Sequence, residues 1–537
     1  MHRLLLLLPA LATTIAEPDW AQRAAAVKDA IHASFGAYMA HASDFDVLLP
    51  AAKTGGDVAG ARYALYESLD TLYVAGLADD FDAAVAAIFA GGLRDPLRRG
   101  APAPKRVASV AEYARRVVGG LLGGFEVSGD RRLLYAAAHA AERALDALPD
   151  TQDVVVLPPD RSRLVHARTA SVRYLLSHWV DDGADCETVG NAGGFGLELR
   201  ALSRELDDPS FASAADAIFD EIDTAWFQDG AKDSARRLPR YPACDSRARS
   251  DLKDAATLFG SLLGEQLIGS THGAARAAAL YDWWEQGLLE EGADVLHSAG
   301  DLTFPVTPGG TPAVEAATFG LPGLLALGAT HAFRKGNADE DDKRDALALA
   351  ARVAEAVHAA HAAAGGLAPD AATLVEGDGV RFAAVRPSYD LDETYAYSLL
   401  VLYRTTGDEK YRDRGWALFE QIAQRCAVGG AFAGLVDVFG DARRKRMPSH
   451  FVGATLKHLY LLFSEKDHYS LDDWVFTNGG HLVAATHRCD GRDCSGPEDR
   501  PWKYAVPVDL LFFGSLLVLA QVCLPRSTWT GTPKKDR

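Results

Sequence analysis

Glu112 and Arg116 stand four residues apart in VAEYARR, so on a helix they would share one face and could pair. Three more acids, Asp390, Asp392 and Glu393, crowd into YDLDET. Carboxylates of this kind can move protons or hold a hard cation. Read singly, each has a plainer role: Glu112 as a solvated helix carboxylate, Arg116 as the partner of a neighbouring acid, Asp390 to Glu393 as an exposed loop. Asp70 reads equally as a helix cap or structural acid. Cys489 and Cys494 bracket the polar loop DGRD and suggest a disulfide; a zinc site is the alternative, but no second Cys or His pair has ligand spacing. The chain has no GxxxxGK[ST] and no HExxH, and GNAGGFG from Gly190 has the wrong spacing for a dinucleotide loop.

The elements around these residues are helical. The chain has 537 residues, with 48% apolar and 24% charged, which is the profile of a globular protein. Its 55 basic and 73 acidic residues leave a net charge of −18, so no basic excess exists to neutralise nucleic-acid phosphates. Apolar residues recur at i, i+3, i+4 and i+7 on both sides of a tight polar turn in three places. These are LLGGFEVSGDRRLLYAAAHAAERAL from Leu121, LRALSRELDDPSFASAADAIF from Leu199, and LLVLYRTTGDEKYRDRGWALFEQI from Leu399. Repeated αα-hairpins predict a solenoid or a closed αα-toroid. The acidic stretch GNADEDDKRD reads as a solvated loop, and TFPVTPGGTP from Thr303 as a joint between hairpins.

The two ends carry address signals. MHRLLLLLPALATTIA has the basic, apolar and small-residue layout of a secretory signal, with a cut expected after Ala16. Residues 17–490 follow as the folded region, and 491–503 as a linker. Residues 504–524, YAVPVDLLFFGSLLVLAQVCL, have about the ~20-residue length of a membrane helix. The basic tail 525–537 would then lie on the cytosolic side, and its end, KKDR, resembles a dilysine retrieval signal. An amphipathic or core helix with a chance Lys pair is the competing reading of this end. Six cysteines are too few for a disulfide scaffold but are compatible with an oxidising lumen. No N-x-[ST] sequon occurs.

Seven segments run in one order across roughly residues 30–485. They are YESLDTLYVAGLADDFDAA from Tyr66, VAEYARRVVGGLL from Val110, FGLPGLLALGATH from Phe319, Arg386-Pro387, VLYRTTGDEKYRDRGWALFEQI from Val401, TLKHLYLLFSEKD from Thr455 and WVFTNGGH from Trp474. Together they resemble glycoside hydrolase family 47, the class I α-1,2-mannosidases. NAGGFGLELRALSRELDDPSF from Asn191 is more similar to the ER degradation-enhancing α-mannosidase-like branch, because processing enzymes carry an acid where Asn191 stands. The resemblance implies an all-α (α/α)7 barrel and inverting hydrolysis, in which two carboxyls roughly 6.5–9.5 Å apart hold a water between them. It also implies a Ca2+ ion gripping sugar hydroxyls.

Residue by residue, the resemblance gives Glu112 the place of the catalytic acid and makes Arg116, Glu67, Asp70, Arg386 and His481 substrate-binding. Ala256 falls at the catalytic aspartate, Gly260 at the glutamate after it, and Ser388 at the glutamate of R-P-E. Pro448 and Ala454 fall at two further glutamates. Asn478 replaces the calcium-ligand threonine and Gly479 the glutamate beside it. Replacement acids could come from Asp251, Asp254, Asp390, Asp392 or Glu393. The expected function is therefore an endoplasmic-reticulum protein of glycoprotein quality control. It would bind high-mannose or misfolded clients, alongside degradation machinery or oxidoreductases, with trimming absent or residual. Two alternatives stand: an active Ca2+-dependent α-1,2-mannosidase, and a scaffold that reads protein and no sugar.

Overall fold

The computed structural model describes residues 19–93, 110–146, 193–228, 239–241, 245–249, 252–269, 288–289, 295–307, 310–335, 339–375 and 380–485. Within them, seven inner helical stretches follow one another around a ring: 63–74, 110–128, Gly196–Leu206, Leu252–Leu267, Leu321–Lys335, Thr394–Thr406 and 451–463. Each packs on the next, and the last returns to the first. Ala78–Gly91, Arg131–Asp146, Pro209–Gln228, Glu340–Ala363 and Lys410–Arg425 form an outer layer, each packed on the inner helix before it. The outer partner of 451–463 comes from the other end of the sequence, Trp20–Ala42. This is the all-α (α/α)7 barrel that the family resemblance implies, and the closed toroid among the two forms that the helical periodicity allows.

Turn chemistry places the hairpins where the sequence puts them. Gly129 and Gly407 end their helices in the left-handed region, at φ +77° and +72°, and return a backbone N–H to Phe125 and Tyr403. Asp207 does the same at φ 52°. The acidic stretch near Asn337 differs from its reading as a loop. Asp339 accepts from the backbone N–H groups of Asp341 and Asp342, while Asp342 reaches back to the Asp339 N–H, a reciprocal cap that starts the helix Glu340–Ala363. The acids are solvated, but they are the first turn of a helix, where negative charge meets the positive end of the dipole.

Close approach of the inner helices depends on glycine at one contact in particular. A Cβ on Gly120 would lie 2.5 Å from the Tyr66 carbonyl oxygen, so the helices 110–128 and 63–67 meet backbone to backbone. Gly120→Ala is expected to lower the unfolding free energy by about 1–3 kcal/mol through overpacking. An unchanged urea midpoint would show that these helices can part without cost. Asp46 fixes the entry to the same helix. Its carboxylate accepts from the backbone N–H groups of Val58, Ala59, Gly60, Ala61 and Tyr63, at 2.5–3.3 Å.

Strands are short and antiparallel. Trp474–Phe476 pairs with Leu482–Ala484 in a hairpin whose second strand packs on the inner helix 110–128. Ala313–Glu315, Ala371–Val375 and Arg381–Arg386 form a three-stranded sheet. So TFPVTPGGTP contains strand as well as joint. The signal segment 1–16, Cys186, Cys244, Asp251, the Cys489–Cys494 pair and everything from 486 to 537 lie outside the described residues. Among the described residues no helix is long and apolar enough to cross a membrane, and Cys426 is buried and unpaired.

Candidate functional site

A cavity of about 440 Å³ lies among the inner helices 252–267, 321–335 and 394–406 and the hairpin 474–484. That volume falls in the range of small-ligand pockets. Part of its lining is apolar: Leu263, Leu267, Leu321, Leu324, Leu327, Val475 and Phe476. The rest includes Asp370, Asp390, Asp392, Glu393, Arg115, Arg386 and His450. The acids of YDLDET thus face a cavity, where the sequence alone suggests an exposed loop.

Asp392 and Glu393 are driven apart in proton affinity although they are neighbours in the chain. Asp392 accepts the Thr394 N–H at 2.9 Å, the Tyr395 N–H at 3.4 Å and the Thr394 hydroxyl at 2.6 Å, so it caps the helix that follows. Burial first, and the Glu393 charge second, still push it well above the usual carboxylate range. Burial would raise Glu393 too, but His450, Arg115 and Arg116 outweigh it and hold Glu393 below that range. The His450 Nε2 stands 3.6 Å from its Oε2. Asp390 pairs with Arg446 at 3.0 Å and Arg444 at 3.4 Å. Asp370 accepts the Ser388 hydroxyl and the Asp390 N–H, and burial raises its pKa.

The residues that the resemblance makes central stand elsewhere. Arg116 donates to both oxygens of Glu67, at 3.0 and 3.1 Å, to the Ser449 hydroxyl at 2.9 Å, and to Glu112 at 3.4 Å. Glu67, Glu112 and Arg116 are not among the groups lining the cavity. The Glu112 side chain is 39% exposed, so its link to Arg116 is the outer arm of this cluster. Asp70 is neither a helix cap nor a lining group. It is fully buried and accepts from Lys457 Nζ at 2.6 Å and the Leu482 N–H at 3.0 Å, with His481 Nδ1 3.4 Å away. Burial would raise its pKa, but Lys457 and then His481 hold it at about 2.

Ala256, Gly260 and Asn478 do line the cavity. The Asn478 amide nitrogen donates to the Gly194 and Thr257 carbonyls, both at 3.1 Å, which leaves its oxygen as the free end of the side chain. Arg386 lines the cavity from the strand Arg381–Arg386, and its guanidinium donates to the Asp370 carbonyl at 3.3 Å. Asp254 lies on the helix Leu252–Leu267, and its side chain is outside what the structure describes.

Three groups were not singled out from sequence. Asp370 gives no local signal, since only the pairing of its strand brings it to Ser388. Arg115 had one: two consecutive arginines on a helix cannot share a face. Here a π-helical turn over Ala114–Val118 carries both, a form of helix frequent at functional sites. Glu198 is fully buried on Gly196–Leu206, with the Thr477 side chain near its carboxyl. Burial raises its pKa to about 7, against the opposing pull of Thr477 and Arg115.

Calcium takes six to eight oxygen donors from carboxylates, carbonyls and waters, and a tight site needs several of them to be charged. Among the described residues no group of three or more His, Cys, Asp or Glu side chains is placed to hold a metal ion. Around Asn478 stand Gly260 and Ala256 where carboxylates would be needed. The residues present do not fit the ion.

Comparison with known proteins accounts for this frame. The model for glycosyl hydrolase family 47 matches residues 30–255 and 274–485. The chain is 28% identical over 493 residues to the mannosyl-oligosaccharide 1,2-alpha-mannosidase MNS1 of Arabidopsis thaliana, covering 89% of this chain and 81% of that one. It is 26% identical over 486 residues to the endoplasmic reticulum mannosyl-oligosaccharide 1,2-alpha-mannosidase of Homo sapiens, covering 84% of this chain and 62% of that one. Among solved structures, the alpha-1,2-mannosidase from Trichoderma reesei superposes with a TM-score of 0.69 at 19% identity, over 87% of this chain and 99% of that one. By its sequence, the chain belongs to glycosyl hydrolase family 47.

Proposed function

We propose that the protein is an α-mannosidase-like member of glycoprotein quality control in the endoplasmic reticulum. It recognises high-mannose N-glycans on its clients, with trimming residual or absent. The observation that carries this reading is the lining of the cavity. Ala256 and Gly260 face it where the family resemblance places a catalytic aspartate and a glutamate. Ser388, at a third acidic position, donates its hydroxyl to Asp370. Hydrolysis with inversion needs an acid on one side of the glycosidic bond and a base on the other. Glu112, the remaining family acid, is held by Arg116 outside the lining. An apolar surface beside hydrogen-bonding groups suits a sugar, whose ring has an apolar face and a hydroxyl edge. The endoplasmic-reticulum setting draws on the human relative. Anchoring through 504–524, kinship with the degradation-enhancing branch, and contact with degradation machinery or oxidoreductases belong to the same proposal.

One observation favours the active alternative. Asp392, pushed above the usual carboxylate range, and Glu393, held below it, are driven apart in the directions that separate a general acid from a general base. Incubating the full chain with a high-mannose N-glycan separates the readings. The proposal expects the glycan to be retained and mannose release to stay at background. Release that falls by about 10²–10⁴ in Glu393→Gln would establish the active enzyme instead. If the glycan is neither retained nor cut, the scaffold reading replaces both.

A further inference from the structure

The site has lost the residues for a divalent cation, yet a positive charge still stands in it. Arg115 lines the cavity, and among the described residues no hydrogen bond or ion pair holds its guanidinium. Its charge is felt by two carboxylates, Glu198 on the helix Gly196–Leu206 and Glu393 just before the helix Thr394–Thr406. It also stands against the tip of the hairpin 474–484. A Cβ on Gly479 would lie 2.9 Å from Arg115 Cγ and 2.9 Å from its carbonyl oxygen. A side chain at 479 and the present course of Arg115 therefore exclude each other. Next to it Asn478 has committed its amide hydrogens to two carbonyls and offers one oxygen.

We infer that the Arg115 guanidinium takes the place of the bound calcium ion, so that the cavity holds the hydroxyls of a terminal hexose without a metal. A guanidinium presents five N–H donors in a plane and is charged at every physiological pH. It can donate to two vicinal hydroxyl oxygens at once, as a divalent ion can accept both as ligands. Glu393 supplies an acceptor for the hydroxyl hydrogens in the same cavity. A cation fixed in the chain also repels a free dication, which adds to the shortage of oxygen donors around Asn478.

The inference rests on the proposed binding of a mannose-terminated glycan, and the experiment is built to separate the two. The full chain is titrated calorimetrically with Ca2+ alone, and then with a high-mannose N-glycan in chelator and in excess Ca2+. The expected result is no Ca2+ uptake and equal glycan affinity in both buffers. Arg115→Gln should weaken the glycan by about tenfold or more, as loss of a charge-assisted hydrogen bond does, while its circular-dichroism spectrum stays that of the parent. Arg115→Lys, which keeps the charge but loses the planar fork, should fall between them. Glycan binding that disappears in chelator and returns with Ca2+ overturns the inference and leaves the proposed function standing. So does an Arg115→Gln variant that binds as tightly as the parent. A parent chain that retains no glycan in either buffer overturns the proposed function and the role of Arg115 with it.

Discussion

Lys457→Met is expected to lower the unfolding free energy by about 3–5 kcal/mol, the cost of leaving a buried charge without its partner. Lys457 and Asp70 are both wholly inaccessible and joined at 2.6 Å. The pair links the inner helix 451–463 to the inner helix 63–74, where the ring closes on itself. With the ammonium gone, Asp70 keeps only the Leu482 N–H and the longer contact to His481. The double variant Asp70→Asn with Lys457→Met should recover a large part of the loss, because no uncompensated ion remains. Urea unfolding followed by circular dichroism measures both, and a single-variant loss below about 1 kcal/mol would falsify the account. The acid limb should change as well. Asp70 has a folded pKa of about 2 against 3.8 in the open chain. Its stabilisation is therefore present above the open-chain value and disappears as pH falls toward the folded one. Lys457→Met should flatten that limb.

Glu198 gives the second large effect, and its sign is opposite. Its folded pKa is raised to about 7 from 4.5. The folded state therefore holds the proton more tightly, and stability falls as pH rises through that window, then levels off above it. At 1.36 kcal/mol per unit, the buried carboxyl costs roughly 3 kcal/mol by the time it is ionised. Comparing the parent with Glu198→Gln isolates this slope from every other titrating group. The difference in unfolding free energy should shift by roughly 3 kcal/mol in favour of the variant between pH 4.5 and 7.5. A difference that stays constant across that range would mean that Glu198 ionises in the fold as readily as in the open chain, and the account of its burial would fail.

The helical frame was legible because it is written locally. Gly129, Asp207 and Gly407 end helices by their own backbone preferences, and the apolar stripe on Trp20–Ala42, through Val27, Ile31, Phe35 and Tyr38, repeats at helical spacing. Motif resemblance supplied the family and the ring. The site was read less well, since side-chain direction there is decided by contacts distant in sequence. Asp392 looks like a loop acid until its hydrogen bonds to Thr394 and Tyr395 make it a cap beside a cavity. Arg115 and Arg116 are interchangeable in a motif, but as neighbours on one helical turn they point apart, Arg116 to Glu67 and Arg115 to the cavity. From sequence Asp70 reads as a sugar ligand, a helix cap or a structural acid, and only the meeting of helices nearly four hundred residues apart in the chain pairs it with Lys457.

The pairing of Trp20–Ala42 with 451–463, the first and last helices among the described residues, has a consequence for how the chain is made. Trp20 stacks on Phe463 at 6.0 Å, and Arg23 reaches Asp413 at 3.5 Å. The partner of Trp20–Ala42 is thus among the last parts of the barrel to leave the ribosome. At about 5–20 residues per second, the apolar face of that helix waits on the order of tens of seconds for its cover. Hairpins with both helices adjacent in sequence can form as they emerge; this one cannot. A chain cut short before Phe451 leaves much of that face uncovered, so incompleteness is advertised at the end that was synthesised first.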